Sequence, residues 1–387
     1  MSVVSISIAA AACLVGGFVV WRKSAGAAGS SAGTHREMSP QPSSFPSHVA
    51  ERAKAPPASA SAPVAPAPEL AKPESPAEDP STLTWIRAET LPEARRQAFT
   101  EVFKNVPRPP RLLQQLISPE FVKDASLESL TDLISTEPLV AARVLATANS
   151  SMYGLSSPVT GLNQAISYLG LITLRSLCVQ YMMIKSFEAD GPERQKLLTE
   201  TWNASSLASE MSLKLGQALG RPDPGRLVTL VVLSFLGRLA TTATMPRGLL
   251  GTIAVGSFLL RTRQEQSALG LSSSEIGGLL MREWDLPVAL IDEVRELDPT
   301  LIHREQTIDL ALGYLCARLG EQLARGELRS VSDFDLAQAS GPDFLRLQAR
   351  LGDPAWQGIA KALHDPALCR TLDGMTFALR SGSTILG

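Results

Sequence analysis

The chain has 387 residues and a formal net charge of −2, too little positive charge to bind nucleic acid by bulk electrostatics. Aromatic residues make up only 5%. Few segments alternate apolar and polar side chains as half-buried strands do, so an all-α protein is expected, with Leu and Ala carrying the hydrophobicity. The four cysteines, Cys13, Cys178, Cys316 and Cys369, are scattered without C-x-x-C spacing, which argues against a disulfide framework and fits a reducing compartment.

Ser2 to Trp21, "SVVSISIAAAACLVGGFVVW", carries no charge and is followed by Arg22 and Lys23. Twenty helical residues reach about 30 Å, enough to cross a hydrocarbon core. A cleaved signal peptide would place its positive charge before the apolar run. Here it comes after, so an uncleaved anchor with the following chain in the cytoplasm is expected. Residues 22–83, typified by "APPASASAPVAPAPELAKPESPAEDP", are rich in Ala, Pro and Ser. Such a segment buries too little apolar surface to offset the entropy of ordering it, and its prolines make it a semi-stiff tether.

Order is expected from about Trp85. Leu112, Leu113, Leu116 and Ile117 mark one helix face. Ser126 is a candidate N-cap for a stripe of Leu127, Leu130, Leu133 and Ile134. Pro138 suits a first helical turn before Val140, Val144 and Ala148. Ala148 to Gly170 then runs without a single charge, which marks a connection packed against its neighbours. Asn149, Ser150 and Asn163 are candidates to satisfy its backbone groups. Further helices are expected over 162–187, 196–219 and 226–242, then around Leu290, Val294 and Leu297, and around Ile308, Leu312, Leu315 and Leu319.

This order of signals resembles the HDOD family, the HD-related output domains of bacterial signalling proteins. The resemblance rests on "VPRPP" (106–110), "SLESLTDLISTEPLVAARVLATANSSMYGL" (126–155) and "VTGLNQAISYLGL" (159–171). Asn149, Ser150, Tyr153, Gly154, Ala165, Ile166, Leu169 and Gly170 match its pattern, while Glu137 replaces the usual Asp. It spans about Pro92 to Pro299 and is more diverged in its second half. The family's fold is similar to that of HD phosphohydrolases, so the resemblance implies a multi-helix HD-like domain over 84–300. Residues 301–387 are expected as a helical extension packed on it. In the family the loop of Asn149, Ser150, Tyr153 and Gly154 is mainly structural.

HD enzymes hold metal ions with converging His and Asp side chains, because the metal must activate water near neutral pH. At the positions that resemble those ligands the chain has Ala204, Ser234, Phe235 and Ser273, and Leu297 and Asp298 stand where paired His residues often lie. His35 and His48 fall in the tether, and His303 follows the matched region. His364 and Asp365 form a literal pair, but neighbours on a helix point about 100° apart and Pro366 indicates a helix end. There is no G-x-S-x-G, G-x-x-x-x-G-K-[ST] or G-x-G-x-x-G motif in a suitable context. The expectation is therefore a degenerate, non-enzymatic HDOD module without metal or cofactor. It would be anchored in a bacterial inner membrane and act on a signalling or regulatory protein, with self-association left open. Two alternatives stand beside it: a small-molecule sensor using the remnant pocket of Ala204, Ser234, Phe235 and Ser273, and a metal-dependent phosphohydrolase, for which the ligands are missing.

Overall fold

Leucine and alanine recurring at three- and four-residue spacing dictate helices, and among the described residues every regular element is helical. A computed structural model describes residues 79–109, 111–118, 121, 126–149, 157–254, 256–303, 305–356 and 358–380. The expected anchor at 2–21, the tether up to 78, the loop residues Ser150, Tyr153 and Gly154, and the last seven residues lie outside them.

The described chain opens with a strap, residues 79–91, which contains single 3₁₀ turns at Pro80–Thr82 and Ala88–Thr90. Leu83 is already buried, so the folded part begins before the expected boundary at 84. Next come α1 (Glu93–Phe103), α2 (Arg111–Ile117), α3 (Leu127–Ser135) and α4 (Pro138–Ala148). Ser126 caps α3 as expected: its hydroxyl accepts the Ser129 amide at 3.0 Å, and Ser129 Oγ accepts the Ser126 amide in return. Leu130 and Ile134 of the stripe are buried, whereas Leu127 is exposed.

The single helix expected over 162–187 is two, α5 (Leu162–Leu169) and α6 (Leu171–Lys185). Gly170 separates them at φ +76°, a conformation that α-helix cannot contain and that glycine adopts without a Cβ clash. The next helices are α7 (Pro192–Ala218), α8 (Pro224–Thr244) and α9 (Arg247–Ala254). They are followed by α10 (Phe258–Leu269), α11 (Ser273–Glu283) and α12 (Val288–Leu297). The carboxyl-terminal part adds α13 (Ile308–Arg325), the short α14 (Leu345–Gln348) and α15 (Ile359–Leu363), and α16 (Pro366–Arg380).

Helix α8 is apolar on every side because it is surrounded: α6, α7, α11, α12 and α13 all pack on it. By length and composition it could cross a membrane, but 83% of its most apolar window is buried inside the fold. It is a core helix. Its crossing with α11 is unusually close. A Cβ on Gly237 would lie 2.6 Å from the Ser273 carbonyl carbon and closer still to its oxygen.

Two cores result. The first gathers α1 to α6 with one side of α8 and α11, and includes Leu116, Ile134, Val144, Ile166 and Trp284. The second is shared between the earlier helices and the extension. Ala204, Met211, Val231 and Phe235 pack there with Leu312, Tyr314, Leu319 and Trp356. Helix α13 lies along α7 and α8, so residues beyond 300 complete the interior.

Candidate functional site

The loop signature resolves through Asn149, at the carboxyl end of α4. Its Nδ2 donates to Leu145 O at 3.0 Å and to Val159 O at 2.8 Å, and its Oδ1 accepts the Val159 amide at 2.6 Å. Asn149 thus joins the two ends of the uncharged connection, with buried Val159 as the anchor point. Every polar atom of this side chain is engaged in structure. Asn163 does not contribute in that way. It is exposed on α5, and its carbonyl accepts the Ser167 hydroxyl.

The four remnant-pocket positions have different surroundings. Ala204 on α7 and Phe235 on α8 are buried in the second core. Ser234 is only half-buried and turns its hydroxyl onto its own helix, donating to Val231 O at 2.7 Å. Ser273 begins α11, where its amide and hydroxyl donate to Glu265 at 2.7 and 2.6 Å and its hydroxyl lies 3.2 Å from Thr241 Oγ1.

Glu265 leads to a feature that the sequence reading passed over: a buried cluster of six charges. Arg238 (α8) stands 3.6 Å from Glu265 (α10), and Arg261, one turn before Glu265, stands at 4.0 Å. Arg261 also forks onto Glu321 (α13) at 2.8 and 3.1 Å. Arg318, one turn before Glu321, pairs with it at 3.3 Å and with Asp298 at 3.6 Å. Three guanidinium groups thus face three carboxylates, and all six residues are buried. The centroid of the Phe258 ring lies 3.7 Å from the Arg318 guanidinium and 5.0 Å from that of Arg261, contacts that favour both cations.

The electrostatics follow from burial and pairing. Burial, assisted by Arg261, pushes the Arg238 guanidinium down to about 9. Burial pushes the Asp298 carboxyl up to about 6, against the pull of Arg318 and Arg261. Glu321 goes the opposite way: burial would raise it, but Arg261 and Arg318 hold it well below the usual carboxylate range. Two of the six, Arg318 and Glu321, come from the carboxyl-terminal extension. That extension also supplies Asp343, whose carboxylate accepts the Phe258 and Leu259 amides at 2.7 and 3.0 Å and so caps α10.

A signal for this cluster does exist in the sequence. Arg261 and Glu265 are an i, i+4 pair, and Tyr314, Arg318 and Glu321 share one face of an otherwise apolar helix.

These residues do not fit a catalytic metal. The three carboxylates are already engaged by guanidinium groups, which would repel an arriving cation. Among the described residues, no group of three or more His, Cys, Asp or Glu is placed to hold a metal ion. His364 is exposed at the junction of α15 and α16, with Nδ1 2.7 Å from Ala360 O, while Asp365 accepts the Ala367 and Leu368 amides. The pair is divided between two helix ends. A cavity of about 20 Å³ opens beside Ala204, lined also by Thr201, Arg238 and Glu321. That is room for about one water molecule.

Solved structures of similar proteins include an HDOD domain protein of unknown function from Geobacter sulfurreducens, at 17% identity and a TM-score of 0.49, covering 74% of this chain and 97% of that one. A proposed phosphohydrolase from Shewanella amazonensis SB2B has 18% identity and a TM-score of 0.47, with 71% and 97% of the two chains covered. A proposed signal transduction protein from Marinobacter aquaeolei VT8 has 18% identity and a TM-score of 0.46, with 73% and 64% covered. No curated protein matches the chain significantly. The profile of the HDOD domain matches residues 106–298. That span runs from the Pro-rich opening to the end of α12 and takes in Asn149 and the Gly237 crossing, and through it the chain belongs to the HDOD family.

Proposed function

We propose that the protein is a non-catalytic signalling module that acts through protein–protein contact. The observation that carries this reading is the buried ion cluster: arginines neutralise Glu265, Asp298 and Glu321 near the remnant HD positions, so these carboxylates are engaged in ion pairs instead of holding a metal that activates water. Purified full-length protein is expected to contain no stoichiometric transition metal and to turn over no phosphodiester. Stoichiometric iron or manganese, with hydrolysis abolished by a chelator, overturns the proposal. A cavity of about 20 Å³ gives little support to the sensor alternative, since it is too small for a metabolite.

The module is held at the bacterial inner membrane by residues 2–21, with the domain on the cytoplasmic side of Arg22 and Lys23. Anchoring raises its concentration near membrane-bound partners, so that encounters become effectively intramolecular. Deleting residues 2–21 is expected to release the protein to the soluble fraction and to weaken capture of a signalling partner from membranes. Retention on membranes after the deletion refutes the anchor.

A further inference from the structure

The strap, residues 79–91, lies across α10, α11 and α12 and is held by polar groups along its length. Gln266 on α10 grips its main chain at two points, accepting the Ile86 amide at 3.0 Å and donating to Thr84 O at 2.9 Å. Glu275 on α11, whose side chain is fully buried, accepts Arg87 at 3.2 Å and the Ala88 amide at 2.9 Å. Arg295 on α12 forks onto Glu89 with two bonds of 2.8 Å and donates to Glu275 at 2.5 Å. Leu83 enters the second core and Ala88 the first.

One feature makes the polar part of this docking separable from global folding. The outer ion pairs are partly solvated, with side-chain exposures of 29% at Arg87, 47% at Glu89 and 38% at Glu296. Such pairs hold weakly and are screened by salt. The strap also packs Trp85, Ile86 and Leu91 against the two cores, beside the buried Leu83 and Ala88, so apolar contact adds to the polar grip. Glu275, in contrast, is deeply placed and takes most of its donors from the strap. When the strap leaves, Glu275 loses two of its three donors and keeps only Arg295, which pulls its carboxylate away from its docked position. Glu275 shares the first turn of α11 with Ser273, whose amide and hydroxyl hold Glu265 of the ion cluster.

We propose that the strap is a latch. Its docking fixes the first turn of α11 and, through Ser273, the Glu265 arm of the buried ion cluster. A pull or a competing contact on the chain before residue 79 is thereby transmitted to the interior. The coupling is reciprocal: loosening the cluster loosens the strap.

Hydrogen exchange on the full-length chain tests it from both ends. In Arg87→Ala/Glu89→Ala, amides of 79–91 are expected to exchange about tenfold faster, those of 273–277 to follow, and those of α5 to stay unchanged. In Glu265→Gln, exchange at 84–89 is expected to rise. A faster strap with 273–277 unmoved overturns the coupling, and an unmoved strap overturns the latch. If the double variant does not fold, Glu89→Gln carries the same two readouts at an exposed position.

Discussion

Replacing Gly237 by alanine tests the contact on which the interior depends. In an unobstructed helix interior, Gly→Ala stabilises by about 0.5–1 kcal/mol, because alanine has less backbone freedom to lose. At position 237 the new Cβ would meet the Ser273 carbonyl group, 2.6 Å from its carbon and nearer to its oxygen, with Gly277 N at 3.1 Å. These are backbone atoms of α11, so no side-chain rotation relieves the clash. The helices must separate by roughly 1 Å, which breaks close packing along the whole crossing and displaces Ser273 from Glu265. We expect a net loss of about 2–4 kcal/mol and a fall in midpoint temperature of roughly 5–15 °C. Denaturation followed by circular dichroism and tryptophan emission measures it, since Trp284 lies buried at the end of α11. Gly374→Ala is the control. That exposed glycine of α16 has nothing within 4 Å of its added Cβ, and a gain of up to about 1 kcal/mol is expected. If Gly237→Ala is as stable as the parent, the close crossing of α8 and α11 is wrong.

Further outcomes follow from the same contacts. Asn149→Ala should cost about 2–4 kcal/mol, because it removes three hydrogen bonds and leaves the buried Val159 amide and carbonyl unpaired. A loss below about 0.5 kcal/mol in urea denaturation would contradict its clamping role. Asp298 has its carboxyl raised from 3.8 to about 6 by burial, so its ionisation opposes folding fully above about pH 6 and not at all below about pH 4. Asp298→Asn should therefore be more stable than the parent at pH 7.5 and converge with it in acid; a destabilised variant at pH 7.5 refutes this. Glu89 is held down at about 2 by hydrogen bonds from Arg295, so its stabilising contribution is complete above about pH 4.5 and lost as pH falls toward 2. Protection of the strap amides should decline over that window, and Glu89→Gln should abolish the pH dependence.

Much of the architecture was legible because it is written in local chemistry. The all-α class follows from spacing and composition, and the Ser126 cap and the Pro138 start are encoded within a few residues of the ends they make. The split between α5 and α6 was locally encoded too, but the apolar period runs through Gly170 and hides it. A positive φ leaves no trace in a hydrophobic pattern. The strap was missed for a different reason. Residues 79–91 have no helical period, and their order comes from partners more than 170 residues away, such as Gln266, Glu275 and Arg295.

By itself, the sequence determined which side chains stand at the positions that resemble the HD ligands. It also determined the order of the helices, because imidazoles, caps and apolar periods are properties of single positions and short windows. Only the tertiary structure decided which charged groups gather beside those positions. Arg238, Arg261, Glu265, Asp298, Arg318 and Glu321 come from four segments on both sides of residue 300, and each reads alone as an ordinary surface charge. Packing α8, α10 and α13 together removes them from water, and only then must every one of these charges find a partner.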